Sequence, residues 1–259
     1  MNIVVCVKQV PDTWAEKKLN PADKTQDRDS VDNVMNEIDE YAVEEALKIK
    51  EAQGGEVTIL TMGPERATET IRKALSMGAD KAVHLVDDAL KGSDAVQTSA
   101  ALAKVLEGLE YDLVLAGSEA TDSRMSVMAA LLAERLGRPQ LTGARKLTVE
   151  GGTATIERLT DNGYAVVTAS TPAIVSVVEK INEPRYPSFK GIMAAKSKPL
   201  EVKTIADLGI DAGSVGLASA PTQVVSFATK PPRQAGQVVK DEGDGGAKVA
   251  EFLASQKFI

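Results

Sequence analysis

Apolar positions along the first two-thirds of the chain fall into two alternating textures. Short, predominantly apolar runs occupy 3–7, 57–62, 82–86, 113–116 and 173–178. The first, Ile-Val-Val-Cys-Val, is apolar on both faces, so it reads as a strand covered above and below, as in parallel sheets. Between the runs lie 36–50, 65–77, 93–109 and 127–136, where apolar residues recur three and four apart. That spacing predicts amphipathic helices. Asn36 or Asp39 is the natural N-cap of the first, and acidic residues crowd its opening turns, as the helix dipole favours. The order β-α-β-α-β-α-β-α predicts a doubly wound, mostly parallel α/β sheet with the 3–7 strand at its centre.

The texture changes after residue 140. Stretches 147–149, 153–159 and 164–170 are separated by Gly151-Gly152 and Asp161-Asn162-Gly163. They predict an antiparallel hairpin addition to the same sheet. Residues 9–34 are a polar excursion with room for a small hairpin, and they carry Trp14. This aromatic either folds back onto the core or makes a subunit contact. Beyond 196, Pro199, Pro221, Pro231 and Pro232 punctuate the chain, and only 247–253 reads as helical. The expected organisation is an α/β domain over 1–195 and an extended C-terminal arm over 196–259, lying on its own body or on another subunit.

Composition narrows the chemistry. Hydrophobic residues make up 43% of 259 and aromatics only 3%, so the core is aliphatic and an exposed aromatic is informative. A net charge of −7 argues against a general nucleic-acid or anionic-membrane binder. The single cysteine, Cys6, excludes an intrachain disulfide and reads as a small buried residue. The single histidine, His84, lies in an apolar run and reads as a core residue rather than a catalytic base. Glu44 and Glu45 are adjacent on a helix, so they do not face each other and read as a solvated face. The chain opens on a strand and has no window resembling a membrane span, so a soluble, cytoplasmic protein is expected.

No G-x-G-x-x-G follows a strand and no P-loop sequence occurs. Four segments nonetheless converge on one sheet edge in a doubly wound fold: 6–8, 36–39, 62–64 and 117–128. The residues before the last helix, Thr121, Ser123 and Ser126, are small and hydroxylic, leaving backbone N–H groups free for a phosphate. Any strand–helix junction has such caps, so spacing alone leaves a ligand and a plain cap both open.

At these residues the chain resembles a known family, the β (small) subunits of electron transfer flavoproteins of actinobacterial type. The resemblance is carried by Val7-Lys8-Gln9-Val10-Pro11-Asp12, Asn36-Glu37-Ile38-Asp39 leading into Ala42-Val43-Glu44-Glu45-Ala46, and Gly63-Pro64. It continues through Ala74-Leu75-Ser76-Met77-Gly78-Ala79-Asp80, Asp112-Leu113-Val114-Leu115-Ala116-Gly117, Asn182-Glu183-Pro184-Arg185-Tyr186-Pro187 and Ile192-Met193-Ala194-Ala195-Lys196. The resemblance implies an adenine nucleotide alpha hydrolase-like fold and a heterodimer whose α subunit holds most of the site for one FAD. The small subunit would be an electron carrier component, not an enzyme, burying an AMP of no redox role. Electrons would come from acyl-CoA and related dehydrogenases of fatty acid β-oxidation and leave to a membrane quinone oxidoreductase. The arm would then pack on the partner subunit.

Carried over by resemblance, the AMP positions are Cys6, Asn36, Glu37, Ile38, Asp39 and Met62. To these the family adds the loop Gly117, Ser118, Glu119, Ala120, Thr121, Asp122, Ser123, Arg124, Met125, Ser126, Val127 and Met128. Acidic Asp39 is expected at ribose or base, or only as a cap. Many relatives have Gln-Thr-Gly, presenting backbone N–H groups to the phosphate, where Val127-Met128-Ala129 stands here, leaving Ser126 and the helix N-terminus for it. Thr13 and Ile38 fall near the flavin. In the loop 182–193, Tyr186, Phe189, Ile192 and Met193 fall at the dehydrogenase-recognition positions, with Phe189 as the anchor and Tyr186 suited to packing on the core. A free-standing adenine-nucleotide-binding protein of stress or signalling type is the alternative, and it needs neither that loop nor the arm.

Overall fold

A computed structural model describes every residue except Gln234 and Gln237. Eleven strands and six α-helices follow one another among the described residues. β1 is Asn2–Cys6, β2 Gln9–Pro11, β3 Asn33–Met35, α1 Glu37–Gln53, β4 Glu56–Met62, α2 Thr68–Met77, β5 Lys81–Leu85 and α3 Ala95–Glu107. β6 is Leu113–Gly117, α4 Met128–Leu136, β7 Gln140–Glu150, β8 Thr153–Thr160, β9 Gly163–Ser170 and β10 Ala173–Val177. α5 is Phe189–Ala195, β11 Leu200–Lys203 and α6 Gly245–Ser255.

Nine strands form one sheet in the order β11-β5-β4-β1-β6-β10-β7-β8-β9, and β2 and β3 pair separately as the small hairpin. From β11 to β10 neighbouring strands are parallel, while β7–β8 and β8–β9 are antiparallel. This is the doubly wound sheet with a hairpin extension that the pattern predicts. β1 is central because its two faces are both apolar. Ile3, Val5 and Val7 join the cluster under α1 and α2, whereas Val4 and Cys6 join the cluster under α3 and α4. The period of two along a strand thus splits one run between two cores.

Several elements depart from the sequence reading. β7 starts at Gln140, not 147, because its first residues pair in parallel with β10 before the strand turns to β8. Its Gln-Leu-Thr-Gly-Ala-Arg-Lys lead-in hides that role. β11 lies on the far edge beside β5, so 200–203 is part of the sheet. The chain divides into a compact unit Met1–Val225 and a second unit Ser226–Ile259 that carries α6, a helix with no buried residue. No helix among the described residues is long and apolar enough to cross a membrane.

His84 is buried in β5, with Nε2 3.0 Å from the Gly63 carbonyl oxygen. Burial depresses its pKa, so the neutral ring donates to that carbonyl, a structural role. Glu44 and Glu45 correct the solvated-face expectation: both are buried. The returning segment 182–185 covers them. Asn182 Nδ2 donates to Glu45 Oε2 at 3.0 Å, and Arg185 Nε donates to Glu44 Oε2 at 2.7 Å. Trp14 does not fold back on the core; it is 96% exposed.

Candidate functional site

The strand order reverses direction at β1 and β6, so the crevice at their carboxyl ends is the switch point of the sheet. Here the start of α1 meets the loop after β6. Asn36 sits at the N-cap of α1, but its side chain makes no capping bond. Its Nδ2 donates to the Glu119 carbonyl at 2.9 Å, and its Oδ1 accepts from the Thr121 N–H at 3.0 Å. An amide, with a donor and an acceptor end, can clasp a loop in this way where an ionised Asp, which only accepts, cannot.

Asp39 serves the sheet rather than its own helix. Oδ2 accepts the Lys8 N–H at 2.8 Å and Oδ1 accepts the Gly117 N–H at 3.2 Å. Burial raises its pKa to about 7 against these bonds, which favour the charged form. Neighbouring Cys6 is also buried, and burial with the Asp39 charge pushes its thiol up to about 12, so it is inert. Cys6, Met62 and Met128 share one apolar cluster on the α3–α4 side. Glu37, Ile38, Ser118, Glu119, Thr121 and Arg124 instead line a cleft of about 420 Å³ with Tyr41 and Glu179. The positions carried over by resemblance thus fall partly in that cluster and partly along this cleft.

That loop is tied down by residues that sequence reasoning passed over. Asp122 Oδ1 accepts from Lys8 Nζ at 2.8 Å and Oδ2 from Arg28 Nη2 at 2.7 Å. Lys17 Nζ donates to the Thr121 carbonyl at 3.0 Å. Glu119 accepts from the Ser126 hydroxyl at 3.2 Å and from Arg124 at 3.4 Å. Ser123 and Met125 lie in the same turn, with Met125 exposed. Lys8, Lys17 and Arg28 are about a hundred residues away from this loop in sequence, so no local signal reports them. α4 begins with Val127 at its N-cap and no side-chain cap, leaving first-turn N–H groups available. The buried Thr121 hydroxyl has no hydrogen-bond partner.

A second feature stands on the loop 182–193. Arg185 is held by Glu44 and by Glu51, with Nη1 2.5 Å from Glu51 Oε1, so the Pro-flanked segment is fixed to α1. Beyond it Tyr186 is 96% exposed, which overturns the expectation that its ring packs on the core. Phe189 is 81% exposed at the start of α5, where Ser188 caps the helix by accepting the Gly191 N–H at 3.0 Å. Ile192 and Met193 are exposed beside it. Thr13 stands apart, donating to Glu37 Oε1 at 2.8 Å, one residue from exposed Trp14.

A family model described as electron transfer flavoprotein domain matches residues 24–208. "Electron transfer flavoprotein subunit beta" of Mycobacterium tuberculosis is 54% identical over 264 residues, covering 100% of this chain and 99% of that protein. The protein of that name from Mycobacterium leprae is 55% identical with the same coverage. The chain belongs to the electron transfer flavoprotein β-subunit family. A more distant member, the "Caffeyl-CoA reductase-Etf complex subunit CarD" of Acetobacterium woodii, is 38% identical over 241 residues and 92% of each chain. As a member of that family, the chain is a subunit of an electron carrier. In β-subunit terms, the switch-point loop and the braced 182–193 loop are its two distinctive surfaces.

Proposed function

We propose that this chain is the small half of a heterodimeric carrier whose larger α subunit holds most of one FAD. It accepts electrons from acyl-CoA and related dehydrogenases of fatty acid β-oxidation in the cytoplasm and passes them to a membrane quinone oxidoreductase. The observation that carries this reading is the exposed Phe189 on a loop clamped to α1 through Arg185 and Glu44. A free-standing nucleotide-binding module has no use for an apolar anchor on a rigid mount. A carrier does: the loop is ordered before the partner arrives, so recognition costs little and the complex stays weak enough to turn over.

The switch-point residues fit an adenylate. The uncapped first turn of α4 and Ser126 suit a phosphate, the unpartnered Thr121 hydroxyl suits a polar ligand atom, and Cys6, Met62 and Met128 offer an apolar side. Without Gln-Thr-Gly, Val127-Met128-Ala129 would present the phosphate with backbone N–H groups alone. Asn36 and Asp39 would then shape the site from behind rather than touch the nucleotide, because their polar atoms bond to protein. Thr13 and Ile38 would approach the flavin from the small-subunit side, the flavin supplying all the redox chemistry when bound.

The test is co-expression with the neighbouring larger subunit, followed by purification and release of bound nucleotides. A yellow one-to-one complex with FAD and an adenine nucleotide is expected. Isolated chain that turns over a dehydrogenase substrate unaided, or that forms no complex with the larger subunit, overturns the reading.

A further inference from the structure

Asp122 has its side chain only 1% exposed, yet it belongs to a surface loop. Its two cationic partners flank most of the 9–34 excursion: Lys8 lies just before β2, and Arg28 five residues before β3. Arg28 also donates through Nη1 to the Gln9 carbonyl at 3.3 Å, and Lys17 reaches the Thr121 carbonyl. Three basic side chains thus grip two consecutive residues. Burial opposes the charge on Asp122, but Lys8 and Arg28 outweigh it and hold the carboxyl below its usual range. Burial draws the Lys8 pKa down, while the Asp122 carboxylate at 2.8 Å favours its charged form.

Just past this anchor the backbone enters the left-handed region at Arg124 (φ 50°) and Ser126 (φ 55°), neither of them glycine. Such residues persist only where the surroundings over-determine them. On one side the turn is fixed by Asp122; on the other it runs into the uncapped start of α4.

We propose that Asp122, through Lys8 and Arg28, is the positioning residue of the nucleotide loop: it holds the 120–126 turn so that the first N–H groups of α4 are set for the phosphate of an adenylate. It does not touch the nucleotide. The proposal rests on the adenylate reading above.

The experiment uses the co-expressed heterodimer stripped of adenylate. Radiolabelled AMP binding is measured by equilibrium dialysis for wild type, Asp122→Asn, Arg28→Met and Lys8→Arg, alongside the melting midpoint and FAD content of the adenylate-free protein. AMP affinity is expected to fall at least tenfold in Asp122→Asn and Arg28→Met and to stay near wild type in Lys8→Arg, a drop out of proportion to any fall in the adenylate-free melting midpoint, with flavin content retained. Affinity within twofold of wild type in Arg28→Met overturns the proposal. So does a loss of affinity that only tracks a lower melting midpoint. If Asp122→Asn does not fold, Arg28→Met decides. Wild type that binds no AMP refutes the adenylate reading itself, and with it the positioning role, a result distinct from any seen only in the variants.

Discussion

Gly117 leaves no room for a side chain because Asp39 fills the space: a Cβ there would lie 2.5 Å from Asp39 Oδ1 and 2.9 Å from the carbonyl carbon of Ile38. The same Oδ1 accepts the Gly117 N–H, so the missing Cβ is what lets α1 close over the ends of β1 and β6. Gly117→Ala should push the start of α1 away and break that bond, costing about 2–3 kcal/mol. Urea unfolding of the heterodimer's small subunit checks it; a loss below about 0.5 kcal/mol contradicts the packing argument.

Asp39 also predicts a pH dependence. Its folded pKa, about 7, lies above the ordinary carboxyl value of 3.8. The folded state therefore binds a proton that the unfolded state has released between those values. Stability contributed at this residue falls as pH rises from about 4 to about 7 and is level above. From pH 5 to pH 7.5 wild type should lose roughly 2 kcal/mol relative to Asp39→Asn, whose side chain does not titrate. Denaturation midpoints at the two pH values measure it, and parallel curves for both proteins would refute the assignment.

Phe189→Ala should leave the heterodimer, its flavin content and its stability intact, because the ring is exposed. Reduction by a dehydrogenase should slow by about tenfold, as expected for losing one anchoring side chain. Rapid-mixing kinetics with an acyl-CoA dehydrogenase decides; wild-type rates would remove Phe189 from the role.

Arg185→Ala tests the mount rather than the anchor. It leaves Glu44 buried without its cation and frees the 182–187 segment. The partner Arg185 is about one-third exposed, so the loss should be near 2 kcal/mol rather than the larger figure for a fully buried pair. Proteolysis should begin to cut within 182–190, and dehydrogenase turnover should fall even though Phe189 is present. A protease pattern like that of wild type would show that the clamp is dispensable.

The strands around β1 were legible because burial on both faces leaves a run with no polar alternation. The converging edge was legible from their order. β11 was not, since Leu-Glu-Val-Lys after Pro199 has the polar alternation and shortness of an edge strand. Glu44 and Glu45 misled for a different reason: neighbours on a helix look solvated until a segment some 140 residues later lies over them. Asp122 shows the same limit. Resemblance set it among the AMP positions, and only the fold supplies Lys8 and Arg28. Long-range ion pairs carry no periodicity, so the chemistry of the edge could be placed from sequence but not its bracing.

Trp14 is the only tryptophan in the chain, and 96% of it is open to water. The polypeptide therefore carries an optical gauge at a single known point. Its emission should lie near that of a hydrated indole in the lone chain. Any partner that covers this segment, or a flavin brought close to it, will announce itself as a blue shift or a loss of intensity, with no label attached.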